Sequence, residues 1–179
     1  MHTYLGITAE LSAEHIDFDG LKTAKWLYIE GYLSTSDTAR LAVKQARELA
    51  KAHGVKIALS LSDPAMVQYA RQGLEELLDD GVDLLFCNEQ EALMFTNTEH
   101  LDAAIEVLKL KNQHIVITQG ANGAVIIDPA QQFHVAGRHV DAVDTNGAGD
   151  AFAGAFLYAI NAGLNLETAA QLAILISSE

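Results

Sequence analysis

The sequence predicts an α/β protein, a three-layer α/β/α sandwich around a central sheet that is mostly parallel but mixed. Short runs rich in β-branched and aromatic residues alternate with longer stretches of helical periodicity along the chain. Such strand–helix–strand repetition is typical of parallel strands covered by helices on both faces. One Asn122-Gly123 pair between two β-rich runs favours a hairpin, so the sheet should also contain an antiparallel pair.

Seven β-rich runs are predicted as strands, and amphipathic stretches lie between most of them. The predicted strands are Tyr4–Thr8, Trp26–Glu30, Lys56–Ser60, Asp83–Cys87, His114–Gln119, Ala124–Ile127 and Phe133–Ala136.

Five helices are predicted from apolar spacing and from residues that begin or end helices. One covers Thr35–His53 and ends at Gly54, and a second begins at Asp63-Pro64 and runs towards Asp80. The others are Glu99–Lys111, a helix starting near Gly147 and a helix following Asn165.

The composition indicates one globular unit. Of 179 residues, 50% are hydrophobic and 20% are charged, which is enough to build a buried core. No linker, repeat or low-complexity tract interrupts the chain, so we predict a single domain over residues 1–179.

The charge balance argues against two classes of partner. The 11 basic residues face 24 acidic ones, giving a formal net charge of -13. A nucleic-acid surface or an anionic lipid surface needs clustered basic residues, so we predict neither kind of partner.

A lone cysteine and the apolar pattern predict a cytoplasmic protein. Cys87 can form no internal disulfide and suits a reducing compartment, where a small buried side chain is the expected role. No basic and apolar leader follows Met1, and the longest apolar stretch, Ala151 to Ile160, is about half of the ~20 residues of a membrane span.

The segment Asp144-Thr-Asn-Gly-Ala-Gly-Asp150 carries the strongest chemical signal. Its glycines lead directly into an apolar helix, whose unpaired N–H groups and positive dipole end favour an anion. A carboxylate there can accept a proton from a hydroxyl that attacks a bound phosphoryl group. The structural alternative is that Asp144 and Asp150 are ordinary helix-start carboxylates beside a tight glycine turn.

This segment resembles the D-T-x-G-A-G-D signature of the ribokinase-like, or PfkB, carbohydrate kinase family at every position. The resemblance implies a ribokinase-like fold and transfer of the ATP γ-phosphate to a hydroxyl of a sugar or nucleoside. It makes Asp150 the general base and assigns the phosphate-stabilising amides to Gly147, Ala148 and Gly149. No P-loop string is present, and no Gly-x-Gly-x-x-Gly follows a strand, so P-loop and dinucleotide-binding classes are not supported.

A second motif, Asn88-Glu-Gln-Glu91, follows the Asp83–Cys87 strand. Asn followed three residues later by Glu forms a capping box in most proteins. In this position it resembles the family's N-x-x-E motif, which implies that Asn88 and Glu91 hold Mg²⁺, through water molecules.

The Thr118-Gln-Gly120 segment combines a hairpin with a second resemblance. The corresponding T-x-G stretch of the family lies beside the nucleotide, which implies that Thr118 and Gly120 contact ATP. We assign Asn146 of the glycine-rich segment to the same nucleotide site.

Framework strings place the chain nearest the adenosine-kinase branch of the family. Tyr28-Ile-Glu-Gly31-Tyr32 and Leu59-Ser-Leu-Ser-Asp-Pro64 resemble that branch more than the ribokinase branch. A complete member begins with a Gly-Gly substrate motif and a β lid that this chain does not match.

The two ends of the sequence therefore predict a C-terminal, ATP-side piece of such a kinase. The first predicted strand begins at once, and Leu166–Ile176 ends without a helix stop. We expect the fold to be incomplete at both ends, without the N-terminal substrate and lid region and the extreme C-terminus, and its uncovered edges to drive self-association as a homodimer. The alternative to a kinase is a truncated, catalytically inactive nucleotide-binding or self-associating module.

Overall fold

Six strands form one mixed sheet in the computed structural model, which describes residues 6–138 and 146–178. The strands lie across the sheet in sequence order; the first four are parallel and the last two pairings are antiparallel. The predicted mixed sheet is confirmed. The strands are β1 (Trp26–Glu30), β2 (Lys56–Ser60), β3 (Leu84–Asn88), β4 (His114–Thr118), β5 (Gly123–Asp128) and β6 (Gln131–Ala136).

Helices cover both faces of this sheet, which confirms the three-layer prediction. They are α1 (Phe18–Leu21), α2 (Asp37–Ala52), α3 (Pro64–Tyr69), α4 (Arg71–Leu78), α5 (Glu89–Thr96), α6 (Leu101–Lys109), α7 (Ala148–Asn161) and α8 (Leu166–Ser177). Buried side chains of α2 to α6 form a core with one sheet face, and those of α7 and α8 form a core with the other.

The central strand β3 shows why the sheet is buried on both sides. Leu85 and Cys87 point into the core under α2 to α6, whereas Leu84 and Phe86 point towards α7 and α8. Successive side chains of a strand face opposite ways, so an apolar run suits a strand with helices above and below it. Cys87 is 5% exposed, and burial raises the pKa of its thiol, which confirms the predicted role of a buried apolar side chain.

The register of the parallel strands brings their carboxyl ends to a single edge. Glu30 of β1 lies opposite Ser60 of β2, and Asn88 of β3 lies opposite Thr118 of β4. Ligands of open α/β sheets bind at this edge. We call it the carboxyl edge.

Two predicted elements are wrong. The predicted strand Tyr4–Thr8 is instead a 3₁₀ turn over Gly6–Glu10; Tyr4 and Leu5 lie outside the described residues. Gly6 has a φ of 52°, which an extended strand does not allow, and the Ala9 carbonyl accepts a hydrogen bond from the Ser36 hydroxyl at 2.7 Å. The turn is thus hydrogen-bonded to the N-cap residue of α2.

The helix predicted from Asp63 to Asp80 is two helices. Asp63 caps α3 as predicted, with its carboxylate accepting from the Ala65 N–H at 2.6 Å. Ala70 then leaves helical geometry and α4 begins. In α4 the Gly73 backbone lies directly against that of Ser34, a tertiary contact that local spacing does not predict.

The remaining predicted elements are present with small shifts at their ends. The hairpin is confirmed, because a 3₁₀ turn over Gly120–Asn122 joins antiparallel β4 and β5. Within the described ranges, no helix is long and apolar enough to cross a membrane.

Candidate active site

The predicted phosphate-binding residues begin helix α7 as the sequence indicated. Gly147 is the N-cap, with a φ of 78°, and Asp150 lies exposed in the first turn. Glycine adopts this left-handed conformation without strain. Since Gly147 has no side chain, it cannot cap the first-turn N–H groups, as a Ser or Asp would. Asp144 and Thr145 lie outside the described residues.

The glycines of this loop differ from the packed glycines of the fold. A Cβ added at Gly147 or Gly149 would meet no atom within 4 Å in the described part of the chain. A Cβ at Gly123 would lie 2.0 Å from the Val135 carbonyl oxygen. Packing within residues 6–138 and 146–178 therefore accounts for Gly123 but not for Gly147 and Gly149.

Asn88 and Glu91 form a complete capping box at the start of α5. The Asn88 side-chain oxygen accepts from the Glu91 N–H at 2.8 Å, and Glu91 Oε2 accepts from the Asn88 N–H at 2.9 Å. The Asn88 amide also donates to Glu91 Oε1 at 2.7 Å. The structural interpretation of this motif is thus confirmed, and both carboxylate oxygens of Glu91 already accept hydrogen bonds.

Burial makes Glu91 an unusual carboxyl group. The residue is 3% exposed, and this burial raises its pKa from 4.5 to about 7. The Asn88 N–H opposes that shift because it donates to the charged form, whereas the negative charge of Asp63 adds to it. Glu91 therefore gains and loses its proton near neutral pH.

This chemistry fits Mg²⁺ held through water better than Mg²⁺ held directly. Mg²⁺ prefers oxygen ligands and keeps several waters, while the Glu91 oxygens are buried and already hydrogen-bonded. In the part of the chain that the structure describes, no group of three His, Cys, Asp or Glu side chains could hold a metal ion.

The two predicted nucleotide contacts at the hairpin adjoin this capping box. Thr118 ends β4 directly opposite Asn88, and Gly120 begins the exposed turn with a φ of 55°. Between them, Gln119 donates to the Glu89 carboxylate at 2.9 Å, which ties the turn to the first residue of α5. Asn146 is exposed beside Gly147 at the start of α7.

Tyr32 connects these elements electrostatically. Burial is the main cause that raises the pKa of its phenol, and the charges of Asp63, Asp150, Glu30 and Glu91 follow in that order. Carboxylates from β1, the β2–α3 loop, α5 and α7 therefore act on one phenol. Asp150 and Glu91 are thus among the charges that raise the pKa of this phenol.

Several polar residues at this edge were missed as candidates for the site. Ser62 donates a hydrogen bond to Glu30 Oε2 at 2.8 Å. Burial raises the pKa of the Tyr28 phenol, and the charges of Glu30 and Asp150 raise it further. The positions of Glu30 and Ser62 in the sequence could have identified them, since Glu30 ends a predicted strand and Ser62 follows one.

A cavity of about 800 Å³ lies at the opposite edge of the sheet, where the parallel strands begin. Trp26, Lys56, His114 and Phe133 contribute to its wall, and none of the predicted site residues in the described ranges does. The candidate active site is therefore a separate feature on the carboxyl edge.

Comparison with known proteins gives the same family as the motifs. A family model for pfkB family carbohydrate kinases matches residues 1–179. Adenosine kinase from Saccharomyces cerevisiae is 30% identical over 186 residues, which cover 95% of this chain and 54% of that protein. The chain spans about half the length of the curated relatives it matches.

Solved structures share the fold. The crystal structure of adenosine kinase from Sinorhizobium meliloti matches with a TM-score of 0.89 and 35% identity, covering 94% of this chain and 52% of that one. Anopheles gambiae adenosine kinase, in complex with P1,P4-di(adenosine-5) tetraphosphate, matches with a TM-score of 0.80 and 26% identity, covering 94% and 54%. Since the family model matches the whole sequence, this chain belongs to the pfkB family of carbohydrate kinases.

Proposed function

We propose that the carboxyl edge of this sheet serves ATP-dependent phosphoryl transfer to a hydroxyl of a sugar or nucleoside, with adenosine-like acceptors favoured. The observation that carries the proposal is the start of α7. There an exposed carboxylate, Asp150, lies in the first turn of a helix whose N-cap is an unpacked glycine. The adenosine kinases among the relatives support the choice of acceptor.

Asp150 is the proposed general base. A hydroxyl that attacks phosphorus must lose its proton, and a carboxylate within hydrogen-bond reach accepts it in the transition state. The positive end of the α7 dipole lies at this same first turn and favours binding of the anionic phosphoryl group. Accordingly, Asp150 takes the acceptor proton while the amides of Gly147, Ala148 and Gly149 hold the transferring phosphoryl oxygens.

The nucleotide is proposed to lie along the β4–β5 side of the same edge. Thr118 ends β4 opposite Asn88, Gly120 begins the hairpin turn, and Asn146 precedes the N-cap of α7. When bound, Mg²⁺ would neutralise part of the phosphate charge. Asn88 and Glu91 are the residues proposed to orient its water ligands. The lone buried Cys87 suits the reducing cytoplasm as the place of action.

Replacing Asp150 by Asn tests the catalytic role. We expect the turnover number to fall by about 10² to 10⁴, the usual contribution of a general base, because Asn cannot accept the proton. Binding of ATP·Mg²⁺, measured by calorimetry, should change little, because Asn keeps the size and loop geometry of Asp. Retained turnover in Asp150→Asn would contradict the assignment.

A second candidate function is a catalytically inactive nucleotide-binding or self-associating module. It is favoured by the coverage, since the chain spans about half of its relatives, and by the unpaired side of β1 in the described sheet. Calorimetry with ATP·Mg²⁺, a phosphorylation assay on adenosine, ribose and fructose, and sedimentation analysis of the homodimer separate the two functions. Binding without turnover supports the module.

A further inference from the structure

Ser62 has a backbone conformation that needs an explanation. It lies between β2 and α3 with a φ of 70°, in the left-handed region that a serine seldom adopts. In the described ranges, the other non-glycine residues with positive φ are Asp79 and Asn97, each at the end of a helix. Ser62 ends no helix, so its strain must be offset by contacts of its own.

Those contacts join the ends of two strands. The Ser62 hydroxyl donates to Glu30 Oε2 at 2.8 Å and accepts from the Gly31 N–H at 2.7 Å. The Ser62 N–H in turn donates to the Ser60 hydroxyl at 3.1 Å. One side chain therefore fixes both the carboxylate that ends β1 and the backbone that follows it.

The backbone at Gly31 lies directly against the backbone that follows β2. A Cβ at Gly31 would lie 2.7 Å from the Leu61 carbonyl oxygen and 2.8 Å from that of Ser60. The loops after β1 and β2 are thus in direct contact. A side chain at position 31 could not fit between them without moving one of these loops.

Glu30 and the proposed nucleotide contacts lie on opposite sides of β3. The strand order places β4 and β5, with the proposed nucleotide contacts, on one side of β3, and β1 and β2 on the other. The negative charges of Glu30 and Asp150 both add to the effect of burial in raising the pKa of the Tyr28 phenol. The β1–β2 end of the carboxyl edge is therefore where an acceptor hydroxyl would approach Asp150.

We propose that Ser62 is a positioning residue that sets acceptor affinity by holding the Glu30 carboxylate in place at the β1–β2 end of the carboxyl edge. This inference depends on the proposed function for the location of the acceptor. A carboxylate already held in one geometry loses less freedom when it accepts a hydrogen bond from an acceptor hydroxyl. Without the Ser62 hydroxyl, the Glu30 carboxylate and the Gly31 N–H lose the hydrogen-bond partner that they share. The Glu30 carboxylate is then no longer held in one geometry for the acceptor.

Two substitutions distinguish the effect of losing the Ser62 hydroxyl from the effect of relieving the backbone strain. Ser62→Ala and Ser62→Gly both remove the hydroxyl, but only glycine adopts a φ of 70° without strain. We expect the acceptor KM, or its Kd by calorimetry, to rise about 10-fold in both variants, since the hydrogen bond involves a charged group. The KM for ATP should stay within about two-fold, and Ser62→Gly should melt above Ser62→Ala.

Ser36→Ala is the matched control, because Ser36 caps α2 and its hydroxyl binds the Ala9 carbonyl. It should lower the melting temperature without changing acceptor affinity. The inference is overturned if neither Ser62 variant weakens the acceptor, if only Ser62→Ala does, or if ATP and acceptor affinity fall equally.

Failure of the proposed function gives a different pattern. If the wild-type chain binds adenosine or ribose but transfers no phosphoryl group, the proposed function fails and the Kd ratios alone decide the role of Ser62. If it transfers phosphoryl groups and the Ser62 variants keep the wild-type acceptor KM, only the Ser62 inference fails. A chain that binds no acceptor overturns both.

Discussion

At the scale of single residues, Glu91 combines a structural and an electrostatic role. Its carboxylate completes the capping box with Asn88, and its burial raises its pKa from 4.5 to about 7. Because the folded pKa lies above the unfolded value, the folded protein binds the proton more tightly. This contribution to stability is present below pH 4.5 and is lost as the pH rises through about 7.

Replacing Glu91 by Gln should remove this pH dependence. Gln keeps the size and the hydrogen-bonding oxygen of the capping box but does not titrate. Relative to the variant, the unfolding free energy of metal-free wild-type protein should increase by up to roughly 3 kcal/mol between about pH 8 and about pH 5. Urea unfolding at several pH values measures the difference. Parallel pH curves for the two proteins would show that Glu91 does not titrate in this range.

The sequence identified Asn88 and Glu91 but not their surroundings. The N-x-x-E spacing indicated both a capping box and a metal motif, and the structure confirms the first. Burial of Glu91 depends on how α5 packs against the sheet, and its raised pKa also depends on the charge of Asp63, a residue distant in sequence. Local spacing carries no signal for such contacts.

At the scale of elements, two helix glycines have opposite roles. Gly73 in α4 lies against the Ser34 backbone, where a Cβ would be 2.1 Å from the carbonyl oxygen. Gly154 in α7 is exposed, and a Cβ there would meet no described atom within 4 Å. The close contact with Ser34 requires glycine at position 73. No such contact in the described residues requires it at position 154, where glycine is simply a poorer helix former than alanine.

Alanine substitution should therefore have opposite effects at these two positions. Gly73→Ala should destabilise the protein by about 1 to 3 kcal/mol, because α4 must move away from Ser34. Gly154→Ala should stabilise it by up to about 1 kcal/mol, because alanine is the better helix former. Chemical denaturation of both variants measures the pair. If both substitutions changed the unfolding free energy by the same amount, the contact between α4 and Ser34 would not be what restricts position 73 to glycine.

The same comparison shows which elements the sequence could predict. Trp26–Glu30 and Lys56–Ser60 are predicted with their observed bounds, because an apolar run flanked by polar residues marks each strand. The break at Ala70 was missed, and α4 beyond it approaches Ser34 at Gly73, a contact that local spacing does not show. The turn at Gly6–Glu10 was missed because β-propensity does not show whether a run finds a strand to pair with.

At the scale of the whole molecule, strand order explains how distant motifs meet. Asn88 and Thr118 are distant in sequence, yet they end adjacent parallel strands and lie opposite each other. The alternation of strands and helices predicted this convergence. The resemblance to a kinase signature supplied the chemistry, which the fold alone does not specify.

The fate of a labelled γ-phosphate is the most direct test of the proposed reaction. ATP carrying ³²P at that position is incubated with the wild-type chain, Mg²⁺ and adenosine or ribose. We expect the label to appear on the acceptor hydroxyl, only when an acceptor is present, and to be nearly absent with Asp150→Asn. Label released as inorganic phosphate at the same rate without acceptor, or not released at all, would contradict the proposed phosphoryl transfer at the carboxyl edge.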